Sequence, residues 1–200
     1  CDSPFDAYLA GDGTAMTAPQ IRGMNLFYGK ARCDSCHSGP LQTDHDFHAI
    51  GVPQIGPGKG GDRTFADLGR QRVTGNPDDR YRFRTPSLRN VTLTAPYGHS
   101  GAYATLDAMV RHHLDPVAGL MSYDRRQALL HDLPADDWRA LEDQEEMIDI
   151  AAAIELPPIQ LSEAEIANLL TFLDALTDRH ATQGRLGVPE TVPSGLPIDR

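Results

Sequence analysis

Apolar residues recur with helical spacing in two segments that each begin with a capping box. The first segment starts at Thr17 and stops before Gly29, and its apolar face consists of Ile21, Met24 and Tyr28. The second starts at Ser162, and its apolar face consists of Ile166, Leu169, Leu170, Leu173 and Leu176. A Ser or Thr followed three residues later by Glu or Gln satisfies free N–H groups of a first helical turn. The sequence therefore predicts two helices, of which the second has the more regular apolar stripe.

A third helix is predicted from about Thr105 to Leu114, where Asp115-Pro116 ends it. Its apolar face consists of Leu106, Met109, Val110 and His113. The neighbouring His112 is expected to point about 100° away from that face. The predicted buried face of this helix therefore ends in a histidine.

The rest of the chain has weaker patterns. Residues 38–96 are rich in Gly, Pro, Asp and Arg, which is typical of loops that wrap a cofactor instead of covering a sheet. Residues 136–155 predict one or two short acidic helices, and residues 181–200 predict an irregular tail across the surface. Together these elements predict an all-α fold with long irregular loops.

Composition limits the classes of partner. The chain has 200 residues, of which 40% are hydrophobic and 23% are charged, a balance that suffices for one globular domain. Its formal net charge of -10 argues against nucleic acid or an anionic membrane as an electrostatic partner and favours a basic docking surface on a partner protein. No run of about eighteen apolar residues occurs, so no membrane span is predicted.

Residues 33–37 read Cys-Asp-Ser-Cys-His, the C-x-x-C-H signature at which a c-type haem is attached. The two thiols add to the haem vinyl groups, and the histidine binds the iron. The alternative is half of a zinc site, in which Cys33 and Cys36 are completed by His37, His45 or His48. Structural zinc sites usually contain a second spaced pair of ligands, and the sequence has no further Cys-x-x-Cys. The haem interpretation is therefore favoured.

The same motif predicts a compartment, because haem is attached to C-x-x-C-H outside the cytoplasm in bacteria. The mature chain is therefore expected in the periplasm. Cys1 lies outside the motif, and a chain that begins with cysteine is the product of lipoprotein processing. A diacylglycerol on Cys1 would tether the domain to a membrane. The alternative is a chain that begins at Cys1 by cleavage alone, and a single residue leaves both interpretations open.

The iron needs two axial ligands. His37 is predicted to be the proximal ligand, with the carbonyl group of Pro40 accepting a hydrogen bond from the other ring nitrogen. Met109 and His113 lie one turn apart on the same helical face, so either side chain is a candidate for the sixth ligand. The spacing by itself leaves this choice open.

Two further groups carry candidate chemistry. Residues 44–48, Asp-His-Asp-Phe-His, have the residue types of a metal cluster, but in a loop after a haem motif they are interpreted as contacts to the cofactor edge. Four arginines recur along a predicted extended segment, which is the usual pattern of a solvated face; they are Arg80, Arg82, Arg84 and Arg89. A haem has two propionates that need cationic partners, so one or two of these arginines are candidates for that role.

Several blocks of the chain resemble the C-terminal haem domain of the bacterial di-haem cytochrome c peroxidases and the related tryptophan-modifying enzyme MauG. The matching blocks are Thr85-Pro-Ser-Leu-Arg-Asn90 and Leu93-Thr-Ala-Pro-Tyr-Gly-His99, together with residues 5–12, 23–27 and 105–106. Together they cover most of the chain. The resemblance implies a cytochrome c-like helical haem domain at residues 17–180, after a lead-in at 1–16, with the first and last main helices crossing.

The resemblance also implies roles for individual residues. In that family the sixth ligand lies fourteen residues after the histidine of the Pro-Tyr-x-His block, and from His99 this spacing ends at His113. The family has methionine or tyrosine at this position, whereas histidine predicts a low-spin bis-histidine haem with a lower reduction potential. Arg89 is the first choice for a propionate partner, and His99 is placed near the same edge. Thr94 and Pro96 correspond to backbone carbonyl ligands of a calcium ion between two domains.

These features predict electron transfer. The sequence carries a single C-x-x-C-H, hence one covalent haem c, and a six-coordinate haem leaves no open position for peroxide. The expected function is electron relay in a di-haem peroxidase or MauG-like oxidase, with the peroxidatic site on a second haem domain. The alternative is a stand-alone mono-haem electron carrier, lipid-anchored through Cys1, whose partner is a redox protein. A structural haem or zinc module is the least favoured interpretation.

Overall fold

The computed structural model describes residues 2–56, 65–129, 138–178, 180–181 and 191–196. Helices α1 to α8 span, in chain order, Pro4–Leu9, Ala18–Phe27, Gln71–Thr74, Leu106–Leu114, Pro116–Met121, Arg139–Glu142, Gln144–Ala152 and Glu163–Asp174. Two short antiparallel strands, β1 and β2, span Phe47–His48 and Phe83–Arg84. The predicted all-α class is therefore confirmed. Across these residues we find no helix with the length and apolarity needed to cross a membrane.

Both predicted capping boxes are formed. The Thr17 side chain accepts a hydrogen bond from the Gln20 N–H at the start of α2, and the Gln20 side chain accepts one from the Thr17 N–H. Ser162 and Glu165 repeat this exchange at the start of α8. Lys30 Nζ lies 2.7 Å from the Glu165 carboxylate, so the segment after α2 is tied to the first turn of α8. The two helices predicted from these patterns are confirmed.

The contact between α2 and α8 lies in the main core. A Cβ atom at Gly23 would lie only 1.9 Å from the carbonyl oxygen of Asn168, so glycine is what allows the two backbones to approach this closely. The ring of Phe172 from α8 packs edge-on against Phe27 and Phe5, with centroids 5.2 and 5.3 Å apart. Since Phe5 belongs to α1, the lead-in segment also contributes to this core.

Helix α4 has the predicted bounds but a different pattern of burial. His112, which points about 100° away from the face of Met109 and His113, is also buried and is only 2% exposed. The reason is that α5 packs against this side of α4: a Cβ at Gly119 would lie 2.4 Å from His112 Nδ1. Met109 and His113, on the predicted apolar face, are half-buried. Helix α4 is therefore covered on more than one face.

The remaining regions agree with their patterns where they are described. The described part of residues 38–96 contains β1, β2, α3 and single 3-10 turns, as expected of long loops. Helices α6 and α7 confirm the short acidic helices predicted within 136–155, of which 136 and 137 lie outside the described residues. Of the predicted tail at 181–200, only 181 and 191–196 are described, and Cys1 also lies outside the described residues.

Candidate haem site

The C-x-x-C-H motif forms a compact turn directly after α2. Arg32 enters it in the left-handed conformation, with φ of 54°, and residues Cys33–Ser35 form a single 3-10 turn. The His37 N–H donates to the Cys33 carbonyl at 2.9 Å, which brings both cysteines and the histidine onto one turn. Burial raises the pKa of the Cys33 thiol to about 12.

The segment that follows, residues 36–44, folds back on itself, and we call it the proximal loop. The N–H groups of Asp44 and Thr43 donate to the carbonyls of Cys36 and Ser38, both at 2.8 Å. These two bonds close the loop around His37. The imidazole is therefore held by a short, hydrogen-bonded stretch of backbone.

The prediction that Pro40 accepts the hydrogen bond from His37 is wrong. His37 Nδ1 lies 3.2 Å from the carbonyl oxygen of Gln42. Because a carbonyl can only accept, Nδ1 carries the proton and Nε2 carries the lone pair. The Pro40 carbonyl is instead bound by Arg89, whose Nε and Nη2 donate to it at 2.9 and 2.7 Å.

His113 from α4 lies beside His37. Their ring centroids are 6.4 Å apart, and the rings are inclined by 60°. His113 Nδ1 lies 2.9 Å from the Met109 carbonyl oxygen, so this imidazole also carries its proton on Nδ1. No hydrogen-bond partner for Nε2 of either histidine occurs among the described residues. The two imidazoles therefore share one tautomer, with both Nε2 lone pairs available.

This pair fits the axial positions of one iron. Two imidazoles that bind one metal ion from opposite sides, through bonds of about 2 Å, have ring centroids about 6 Å apart. Burial, helped by the neighbouring His113, lowers the pKa of His37 to about 4, and burial also lowers the pKa of His113. Both rings are thus neutral at pH 7, which is the form that binds a metal. Cys33 and Cys36, next to His37, complete the residues that a covalent haem requires.

Tyr103 and His112 form a buried hydrogen-bonded pair that holds α4 in place next to His113. The sequence did not indicate this pair. His112 Nε2 lies 2.8 Å from the Ile50 carbonyl oxygen and must carry a proton, so Nδ1 accepts from the Tyr103 hydroxyl at 2.9 Å. Tyr103 and His112 are 3% and 2% exposed. Burial and the neighbouring His113 lower the pKa of His112 to about 4. The pair fixes the rotation of α4 and hence the side from which His113 projects.

Arg89 and His99 both have partners within the chain. Besides Pro40, the Arg89 guanidinium binds Asp6, with Nη2 2.9 Å from Oδ1 and Nη1 3.0 Å from Oδ2. It thereby connects the start of α1 to the proximal loop. His99 Nε2 lies 2.8 Å from Asp67 Oδ2, and the His99 ring stacks on the ring of Phe83, with centroids 3.8 Å apart. The assignment of Arg89 to a haem propionate, and of His99 to the same edge of the haem, stays a prediction.

The loop cluster at 44–48 is only partly brought together. Ligand atoms of Cys36, Asp44 and His48 lie within 4.8 Å of one another. His45 is separate, with Nδ1 3.5 Å from Arg84 Nη1. Among the residues that the structure describes, no cluster of three or more such ligand groups includes Cys33, so the zinc combination considered above is not assembled.

The remaining predicted residues are placed as follows. Thr94 and Pro96 follow the 3-10 turn Val91–Leu93 and lie on either side of Ala95, with a cis peptide bond between Ala95 and Pro96. Their role in calcium binding stays a prediction. Arg80 and Arg82 form ion pairs with Asp149 at 3.1 Å and Glu155 at 2.6 Å.

No protein-family model matches the chain. Individual relatives do. The chain is 42% identical to a cytochrome c peroxidase of Denitromonas iodatirespirans over 54% of the chain and 34% of the relative. It is 32% identical to the methylamine utilization protein MauG of Methylorubrum extorquens over 88% of the chain and 39% of that protein. The chain thus spans little more than a third of the length of these curated relatives.

Solved structures show the same relation. The structure of a MauG-like protein associated with microbial copper homeostasis aligns with this chain with a TM-score of 0.62 and 30% identity. The alignment covers 92% of this chain and 51% of the MauG-like chain. The di-haem peroxidase of Burkholderia thailandensis matches 89% of this chain and 46% of its own, with a TM-score of 0.58 and 24% identity, a likeness of fold. In both cases the match extends over about half of the solved chain.

Proposed function

The chain belongs to the family of bacterial di-haem cytochrome c peroxidases and MauG, and we propose that it serves as the electron-relay haem domain of such an enzyme. In this proposal Cys33 and Cys36 would hold one haem c covalently, and His37 and His113 would supply the two imidazole ligands of its iron. The domain works in the periplasm, where the haem is attached. The observation that carries the proposal is the pair of neutral imidazoles, 6.4 Å apart, next to the two cysteines.

The chain's own residues account for this role. When bound, the haem supplies a one-electron Fe(III)/Fe(II) couple. With His37 and His113 as its two iron ligands, the haem would have no open coordination site for peroxide, and two imidazoles would favour the ferric state. The Gln42 carbonyl fixes the His37 tautomer and increases the basicity of the ligating nitrogen. Peroxide chemistry is therefore assigned to a second haem domain. The domain formed by the present chain delivers electrons to that second domain.

The alternative function is a stand-alone mono-haem electron carrier, tethered to a membrane through Cys1. The two histidines favour it as well, since a six-coordinate haem transfers electrons without a second cofactor. In this case the acceptor is a separate redox protein. The net charge of -10 favours a basic surface on that partner.

An intact mass of the native polypeptide, together with a haem count, tests both functions. One covalent haem on residues 33–37 and a low-spin ferric spectrum are expected in either case. A longer native chain with two haems and peroxide-dependent oxidation of an electron donor supports the relay. One haem with a diacylglyceryl group on Cys1 supports the carrier. A protein that takes up no covalent haem in a cell with haem-attachment machinery refutes both.

A further inference from the structure

We propose that Gln42 and Tyr28 are positioning residues for His37 that set the strength of its bond to the haem iron. This inference rests on the proposed function, because it concerns the predicted proximal ligand. The sequence indicated neither residue for this role. The argument depends on the hydrogen bonds at the tip of the proximal loop.

Gln42 has an unusual backbone for a buried residue. It is 2% exposed, and its φ of 51° lies in the left-handed region, which non-glycine residues seldom adopt. In this conformation its carbonyl oxygen lies 3.2 Å from His37 Nδ1. The acceptor that fixes the proximal imidazole thus depends on a strained backbone position, which surrounding contacts must maintain.

The Gln42 side chain supplies those contacts. Its Nε2 donates to the Gly39 carbonyl at 2.9 Å, and the Gln42 N–H donates to the same carbonyl at 3.0 Å. Its Oε1 accepts from the Tyr28 hydroxyl at 2.9 Å. Both ends of the amide are therefore bound, one to Gly39 in the proximal loop and one to Tyr28, the residue directly after α2. A side chain held at both ends keeps its own carbonyl directed at His37.

Tyr28 is a firm anchor because aromatic rings of the core hold it. Its ring centroid lies 5.1 Å from that of Phe27 and 6.2 Å from that of Phe172. Burial raises the pKa of Tyr28, so the hydroxyl stays protonated at neutral pH and donates to Gln42. The chain of contacts therefore runs from the packed contact between α2 and α8, through Tyr28 and Gln42, to His37.

The chemical consequence follows from the second nitrogen of His37. A ligating histidine becomes more basic when an acceptor holds its other N–H, and greater basicity stabilises ferric over ferrous iron. If the Gln42 carbonyl is free to move, this hydrogen bond weakens. The reduction potential should then rise, and the Nδ1 proton should exchange faster with solvent.

Two variants and one control test this inference on the haem-loaded protein. Tyr28→Phe removes only the hydroxyl that binds Gln42. Gln42→Gly removes both amide hydrogen bonds but suits the left-handed backbone, since glycine adopts positive φ without strain. Tyr8→Phe is the matched control, because Tyr8 packs against the same core and its hydroxyl has no hydrogen bond to the described residues. The readouts are the reduction potential and the exchange rate of the His37 Nδ1 proton by NMR.

We expect both variants to raise the reduction potential and to speed proton exchange several-fold. Gln42→Gly should have the larger effect, and Tyr8→Phe should match the wild type. Wild-type potentials and exchange rates in Tyr28→Phe and Gln42→Gly would overturn the inference. If Gln42→Gly does not load haem, Tyr28→Phe decides the question alone. A wild-type chain that lacks a covalent low-spin haem would refute the proposed function instead, so the two failures are distinguishable.

Discussion

His113 donates a hydrogen bond from Nδ1 to the carbonyl oxygen of Met109, one turn earlier in α4, at 2.9 Å. This contact separates two residues that helical spacing alone leaves as alternative sixth ligands. Met109 supports His113 through its backbone carbonyl. The sulfur of Met109 lies close to Gly98, where an added Cβ would be 3.7 Å away from it. The His113 ring lies 6.4 Å from that of His37. The two residues therefore have complementary roles in the proposed site, one as ligand and one as its support.

Exchanging the ligand type tests this assignment. We expect His113→Met to introduce the methionine-type absorption band at the red end of the ferric spectrum and to raise the reduction potential, because a thioether favours ferrous iron. Met109→Leu keeps the backbone carbonyl and should leave both properties unchanged. Absorption spectra and redox titrations of the two variants provide the measurement. A changed spectrum in Met109→Leu with an unchanged one in His113→Met would reverse the assignment.

The close contact between α2 and α8 gives a second prediction. Gly23→Ala places a methyl group 1.9 Å from the Asn168 carbonyl oxygen, so the helices must move apart. Over-packing of this kind costs about 1–3 kcal/mol or more in free energy of unfolding. Gly13→Ala is the control, because a Cβ there meets nothing within 4 Å. Urea unfolding should show a lower midpoint for Gly23→Ala alone, and equal midpoints would contradict the packing argument.

The sequence predicted the elements whose signals are local. Capping boxes at Thr17 and Ser162 satisfy the helix N-termini through residues three positions apart, so α2 and α8 could be located from the pattern. The C-x-x-C-H motif could also be located from the sequence, because its five residues are contiguous. Helical periodicity alone does not separate His113 from Met109 as the sixth ligand. The choice of His113 depended on the family spacing of fourteen residues, counted from His99.

The errors concern contacts that depend on the path of the backbone. The partner of His37 is Gln42 instead of Pro40 because Gln42 adopts a left-handed φ, which no glycine marks in the sequence. The burial of His112 was not predicted, because one apolar face was counted on α4 and α5 covers a second face. Loop conformation and the number of neighbours around a helix are tertiary properties, which a periodic pattern does not encode.

The Tyr103–His112 pair gives a third prediction. Tyr103→Phe removes the donor to His112 Nδ1 and leaves a buried acceptor without a partner, which costs about 1–3 kcal/mol. Tyr8→Phe should cost little, because its hydroxyl makes no hydrogen bond among the described residues. Chemical unfolding of both variants provides the comparison. Equal stabilities would show that the hydrogen bond to His112 does not stabilise α4.

His48 gives a prediction about pH. Its Nε2 lies 2.9 Å from Asp44 Oδ2, and its Nδ1 lies 3.1 Å from Glu155 Oε2. Burial by itself would lower the pKa of His48, but the hydrogen bonds to Asp44 and Glu155 outweigh it and raise the pKa above 6.5. Because carboxylates only accept, the arrangement favours an imidazolium with protons on both nitrogens. The folded state therefore binds this proton more tightly than the unfolded state does.

The sign of the pH dependence follows from that difference. A group with a raised folded pKa stabilises the protein fully below its unfolded pKa, and this contribution is lost as pH rises through the folded pKa. We expect His48→Gln to lower the free energy of unfolding most below the unfolded-state pKa of about 6.5, with the loss shrinking as pH rises through the raised folded-state pKa. Asp44→Asn should reduce the same pH-dependent part, because it removes one of the two carboxylates. Urea unfolding across this range, on both variants and on the double variant, measures the coupling between His48 and Asp44. A coupling free energy that stays constant with pH would show that the two side chains do not interact through an imidazolium.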